Sequence, residues 1–177
     1  MMKSSATHSV RGFTLIEMLV VIGIIAVLVM VVVGVSQLVI DKTGKTQTKL
    51  NMEVIHQAIE AYSEVKGNYP PDEDDFSDPY PDYSDRDWRA YKRGVKLYDE
   101  LSSVPQARAR LANLGKDAIM NIDGNNVFVD GFDKYMEYFS DHGAGGTPVV
   151  ISAGGDGRFG TDAEPEYKKD NIRSDNQ

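Results

Sequence analysis

From Met18 to Ile40 the chain runs for 23 residues without a charge. A helix of that length, at about 1.5 Å per residue, spans roughly 30 to 35 Å, the thickness of a bilayer core. Val, Ile and Leu fall on every face, which excludes an amphipathic surface helix. The mean hydropathy of the whole chain is nevertheless negative, so the remainder is markedly polar. Lys3 and Arg11 precede the apolar run, and the positive-inside rule puts the N-terminus in the cytoplasm and the long C-terminal part outside. A cleaved secretory signal fits poorly, because no A-x-A pattern follows and Val35-Ser36-Gln37 is a weak substitute. An uncleaved anchor fits the hydropathy equally well, but it leaves Glu17 unexplained.

Glu17 opens the apolar helix. A carboxylate near the membrane interior costs a few kcal/mol and marks a function or a partner. Residues Gly12 to Glu17 read G-F-T-L-I-E, after a basic leader and before the apolar run. Together these features resemble the processing site of the type IV pilin and pseudopilin superfamily. The resemblance implies that a prepilin peptidase cuts between Gly12 and Phe13 and that the new N-terminus at Phe13 is methylated. Glu17 then becomes the fifth residue of the mature chain, with the amine of Phe13 on a neighbouring subunit as its partner. Such a pair gains in a low-dielectric fibre core, and removing either member strands a charge. Relatives commonly carry a proline where this chain has Gly34. Glycine also weakens a helix, by about 1 kcal/mol relative to alanine, which leaves a bend or melted turn there open.

Past the apolar run, Leu50, Val54, Ala58, Tyr62 and Val65 form a stripe at helical spacing. One helix is therefore expected from about Phe13 to Val65, apolar in its first half and amphipathic in its second. Gly67-Asn68 stops it and Pro70-Pro71 prevents resumption. Asp72 to Asp87 is rich in Asp, Pro, Ser and Tyr and reads as a solvated loop, with a second cation site or partner surface as the other reading. Trp88, Tyr91, Val95, Tyr98 and Leu101 recur at helical spacing and read as a core-facing stripe. Pro105 suits the start of a short helix that Gly115 ends. Val127–Val129, Met136–Phe139 and Pro148–Ser152 read as strands, separated by turns at Asp123-Gly124 and at Gly143, Gly145 and Gly146. The expected fold is α+β, a long helix packed on a small antiparallel sheet with extra short helices. The expected division is a leader (1–12), a transmembrane or filament-core helix (13–40), its amphipathic continuation (41–66) and a periplasmic globular domain (67–177).

Ser152 to Thr161 reads S-A-G-G-D-G-R-F-G-T, and Asp162, Glu164 and Asp170 follow. Hard cations such as Ca²⁺ need six to eight oxygens from carboxylates and turn carbonyls. Glycines let a loop fold tightly enough to aim several carbonyls inward. On chemistry alone a calcium site and a plain acidic glycine-rich turn both stay open. The run resembles the C-terminal calcium-binding loop of the major pseudopilin of type II secretion systems, and D-G-F-D-K-Y within Val127 to Tyr138 looks like a divergent form of that family's motif leading into the sheet. The resemblance implies Ca²⁺ as cofactor, with Asp156 and Asp162 as side-chain ligands. Asp170 matches a later aspartate of the motif, Glu164 lies in an insertion and could substitute for it, and Ser152 could supply a backbone carbonyl.

The formal net charge is −8, and loss of Lys3 and Arg11 with the leader takes it to −10. That acidity disfavours nucleic acid and anionic lipid as partners. No cysteine is present, which removes thiol catalysis and cysteine-ligated zinc. An exported domain without a disulfide must be held by its core or by something such as a metal. Ser152 lacks a G-x-S-x-G elbow, and His8, His56 and His142 are scattered. No enzymatic role is expected. The resemblance implies a structural subunit of a type II secretion pseudopilus, anchored in the bacterial inner membrane and then assembled in the periplasm. Its implied partners are copies of itself, other pseudopilins, the prepilin peptidase and methyltransferase, and an inner-membrane assembly platform. The alternatives are a type IV pilus subunit and a signal-anchored enzyme or receptor.

Overall fold

The computed structural model describes residues 13–72, 86–159 and 169–175, with side chains except at 33–38 and 86–87. The chain forms two compact units, one reaching to Ile40 and one beginning at Asp41. Helix α1 (Leu15–Lys66) contributes to both and is assigned as helix through Gly34. In the first unit every side chain from Phe13 to Val32 is exposed. Leu15–Val32 is long and apolar enough to cross a membrane, and none of it is buried within the chain. At its other end α1 stops at Gly67, which takes φ +79° while its N–H reaches the Ser63 carbonyl at 2.8 Å. Only glycine adopts that left-handed conformation without penalty.

In the second unit α1 buries Met52, Ile55, Ile59 and Tyr62. The expected stripe is therefore corrected. Leu50 and Val65 are 58% and 50% exposed, and Val54 is half-buried. Successive steps of four residues carry a stripe about 40° further round the helix each time, so Leu50 to Tyr62 wanders off the core face. The steps of three, four and three from Met52 to Tyr62 keep to one side.

Helix α2 (Arg86–Ser103) needs the same correction. It buries Ala90, Leu97 and Leu101, while Tyr91, Val95 and Tyr98 are half-buried on its flank. Small residues face the sheet because the approach is close: a Cβ on Gly94 would lie 2.7 Å from the Val127 side chain. Helix α3 (Pro105–Leu111) has its proline in the first turn, where no intrahelical N–H is lost, and buries Ala107 and Leu111.

Among the described residues, five short strands make two antiparallel sheets where one was expected. Strands β1 (Ile119–Ile122) and β2 (Asn125–Phe128) form a hairpin in which Ile122 pairs with Asn125. Asp123 and Gly124 between them have φ of 50° and 88°, the conformation of a two-residue type I′ turn. The second sheet has the order β3 (Met136–Phe139), β4 (Val149–Ser152), β5 (Ile172–Arg173). Strands β1 and β5 were not expected. The first is half-buried except at Asn121, and the second is two residues long and exists through its pairing with Ile151 and Ser152. The main core joins the α1 face to Leu97, Leu101 and Val104 and to Phe128, Met136, Tyr138, Val150 and Ile172 of the sheets.

Candidate functional site: the helix start and the C-terminal glycine turn

Gly12 lies outside the described residues. Phe13 is 82% exposed just before α1. Glu17 is part of a reciprocal cap. Its Oε2 accepts from both the backbone N–H and the Oγ1 of Thr14 at 2.8 Å, and its own N–H donates to Thr14 Oγ1 at 3.3 Å. This is a capping box, with Thr14 at the N-cap and Glu17 three residues on. The spacing T-L-I-E carries that signal in the sequence, and a reading of Glu17 as an inter-subunit group alone passes over it. One carboxylate therefore closes the first turn of the helix and still presents charge at its exposed end.

At the other end of the chain, β4 leads into a turn at Gly154 and Gly157, with φ of 73° and 69°. The turn brings Asp156 and Asp170 together: the Asp156 N–H donates to Asp170 Oδ2 at 3.0 Å. Asp156 Oδ1 accepts from the Arg158 N–H at 2.8 Å, which fixes its side chain over the turn. A Cβ on Gly154 would overlap the Asp170 carbonyl oxygen, so glycine is required there both for φ and for space. Phe159 is buried and holds the far side of the turn. Asp162 and Glu164 lie outside the described residues. Among the described residues, Asp156 and Asp170 do not gather a third acidic or imidazole group at ligand spacing. The contact between them is made by the Asp156 backbone N–H, and the Asp156 carboxylate itself is turned to Arg158.

Ser152 is fully buried, and its side chain is occupied. Its Oγ accepts from the Gly154 N–H at 3.0 Å and donates to Asp130 Oδ2 at 2.5 Å. Asp130 is the residue that sequence reasoning missed. It is 2% exposed, and its Oδ1 accepts from the N–H groups of Phe132 and Lys134 at 2.8 and 2.9 Å. Burial pushes its carboxyl above the ordinary value, as does the charge of Asp133, against the three hydrogen bonds that favour the ionised form. The D-G-F-D run signals a turn built by an aspartate on its own backbone; burial under Ser152 is tertiary and leaves no sequence trace.

The same turn is locked to α1. Thr48 Oγ1 donates to the Gly44 carbonyl at 2.8 Å and accepts from the Gly131 N–H at 2.9 Å. A Cβ on Gly131 would overlap Gly44, so the two backbones are in contact. The turn at 130–134 thus joins α1 through Gly131 to the C-terminal glycine turn through Asp130 and Ser152.

With that geometry in place, the comparison with known families is specific to one end. The prokaryotic N-terminal methylation motif matches residues 7–33. This is the prepilin-type motif of type IV pilin-like proteins. It covers Gly12, Phe13 and Glu17 and the apolar start of α1. The motif implies processing by prepilin peptidase and assembly into pilin-like filaments, and the apolar N-terminal helix fits membrane anchoring. The α+β arrangement of a long helix, further helices and small antiparallel sheets is pilin-like as well. No curated protein and no solved structure matches the chain.

Proposed function

We propose that this type IV pilin-like protein is a subunit of a type II secretion pseudopilus. The observation that carries this reading is the C-terminal glycine turn that draws Asp156 onto Asp170. Its sequence resembles the calcium loop of major pseudopilins, and carboxylate oxygens of the kind it carries suit a hard cation. Bound Ca²⁺ would tie the tail to the domain as a disulfide does in other exported proteins, and here no cysteine is available. The precursor would be cut between Gly12 and Phe13, methylated at Phe13, and assembled with Glu17 facing the Phe13 amine of a neighbour. Its role is structural and mechanical, not catalytic.

The test is thermal unfolding of the full chain in detergent with and without Ca²⁺. Ligand at a hundredfold excess over Kd stabilises by about 2.7 kcal/mol. The expected result is a rise of that order, lost in Asp156→Asn and in Asp170→Asn. Calcium-independent melting would remove the pseudopilin argument. Surface fibres that disappear on deletion of the protein, with export of folded proteins intact, would make it a pilus subunit instead.

A further inference from the structure

Where the chain leaves α1 it is fastened to the end of β3. The Tyr138 hydroxyl donates to the Pro70 carbonyl at 2.9 Å. Asp72 then accepts from the backbone N–H and the Oγ of Ser140, each at 2.8 Å. Asp141 and His142 follow Ser140 directly, and the turn after them closes through the Gly143 N–H on the Thr147 carbonyl at 2.8 Å. The His142 ring packs against Phe139 at 4.4 Å between centroids, and its carbonyl accepts from Arg173 at 3.4 Å.

We infer that Asp72, Asp141 and His142 form a binding site for a divalent transition-metal ion of the zinc class, separate from the C-terminal glycine turn. Each residue offers one ligand atom, and the three atoms lie within 4.8 Å of one another. Asp141 Oδ1 and His142 Nδ1 are already 3.0 Å apart. Tetrahedral ligands about 2.1 Å from zinc sit about 3.4 Å from each other, so a small rotation of the exposed Asp141 and His142 side chains completes the set while Asp72 keeps its Ser140 bonds.

The imidazole sets the class of ion. A solvated acidic face needs no histidine. Calcium takes oxygens, whereas one nitrogen with two carboxylate oxygens is a zinc, manganese or nickel donor set. Two segments far apart in sequence supply the ligands, and each is positioned by contacts of its own. Ser140 holds both oxygens of the Asp72 carboxylate, which fixes that side chain at the end of β3. The ion would staple the segment after α1 to the β3–β4 turn, while water fills the open coordination position. The competing arrangement is an Asp141–His142 ion pair with no metal.

The test is a calorimetric titration of Zn²⁺ into the full, chelator-stripped chain in detergent, with millimolar Ca²⁺ present to fill any oxygen-only site. His142→Gln and Asp141→Asn serve as variants, because both side chains are mostly exposed and circular dichroism verifies their folding. The expected result is saturable uptake of one Zn²⁺ per chain, weakened at least about 10- to 100-fold in either variant, since even outer-shell changes cost that much. Co²⁺ should give a visible d–d spectrum that His142→Gln abolishes. Absence of saturable uptake would leave only the ion pair and overturn the site. Uptake unchanged in His142→Gln, or fully suppressed by Ca²⁺, would overturn it as well.

Discussion

Between Phe13 and Val32 every side chain is exposed, including Leu15, Ile22, Ile25 and Leu28. Between Thr48 and Tyr62 the same helix buries Met52, Ile55, Ile59 and Tyr62, and even Thr48 and Asn51. The more apolar half is thus the one that the chain itself leaves uncovered. Apolar surface of that extent is stable only in another apolar medium, and the even spread of Val, Ile and Leu around the helix suits lipid or identical neighbours. The second half carries its apolar residues on one side because a sheet of the same chain covers that side. Helical periodicity therefore tells which half is stabilised from within.

The sharpest way to break this comparison is to remove the same kind of atoms from each half. Leu101→Ala or Ile59→Ala should cost about 2 to 5 kcal/mol, because both residues are fully buried. Ile25→Ala, at a position 53% exposed, should leave the melting of the globular part within about 0.5 kcal/mol. Urea or thermal unfolding in detergent measures both. Equal losses in the two halves would mean that the apolar segment is packed by the domain after all.

Legibility follows the same division. Helix α1 was readable to within two residues at its start and one at its end, because its signals are local: a long apolar run, then Gly67 and two prolines. Strand β3 and the Asp123-Gly124 turn were readable for the same reason. The buried faces were not. On α1 the expected stripe took successive steps of four and drifted off the buried face of Met52, Ile55, Ile59 and Tyr62. On α2 it followed the largest side chains, whereas the closest approach to the sheet is made at Gly94. At the glycine turn the glycines themselves were readable, and the Asp156 N–H there meets the Asp170 carboxylate. The pairing of Asp130 with Ser152, 22 residues away, left no trace in the sequence, because no spacing relation links the two.

Asp130 gives a second, smaller contrast between what is buried and what is expected to be charged. Its carboxyl is raised in the folded protein, first by burial. The folded state therefore binds more protons than the unfolded chain above about pH 4, the ordinary carboxyl range. Stability is full below that value and falls as pH rises toward the raised pKa, by about 1.4 kcal/mol for each pH unit of displacement. Asp130→Asn keeps an acceptor for Phe132 and Lys134 and turns a donor toward Ser152. Its unfolding free energy should lack this decline, and a pH series of urea midpoints for the two proteins measures the difference. Parallel curves would show that Asp130 is not the group whose ionisation burdens the fold.

The smallest effect in the folded chain separates the two duties of the helix start. Thr14→Ala removes the cap but keeps the Glu17 charge, and should cost about 0.5 to 2 kcal/mol of local helix stability. Faster amide exchange over the first turn of α1 in micelles measures that loss, with the melting of the globular part unchanged. Glu17→Gln does the reverse. Glutamine still reaches back to the Thr14 N–H, as capping boxes allow, but offers no charge to an amine. If filament assembly is lost in Glu17→Gln and kept in Thr14→Ala, the carboxylate acts between subunits and the cap is secondary. If Thr14→Ala assembles as badly as Glu17→Gln, the helix start itself is what neighbours recognise, and the charge pair with Phe13 is no longer needed to account for Glu17.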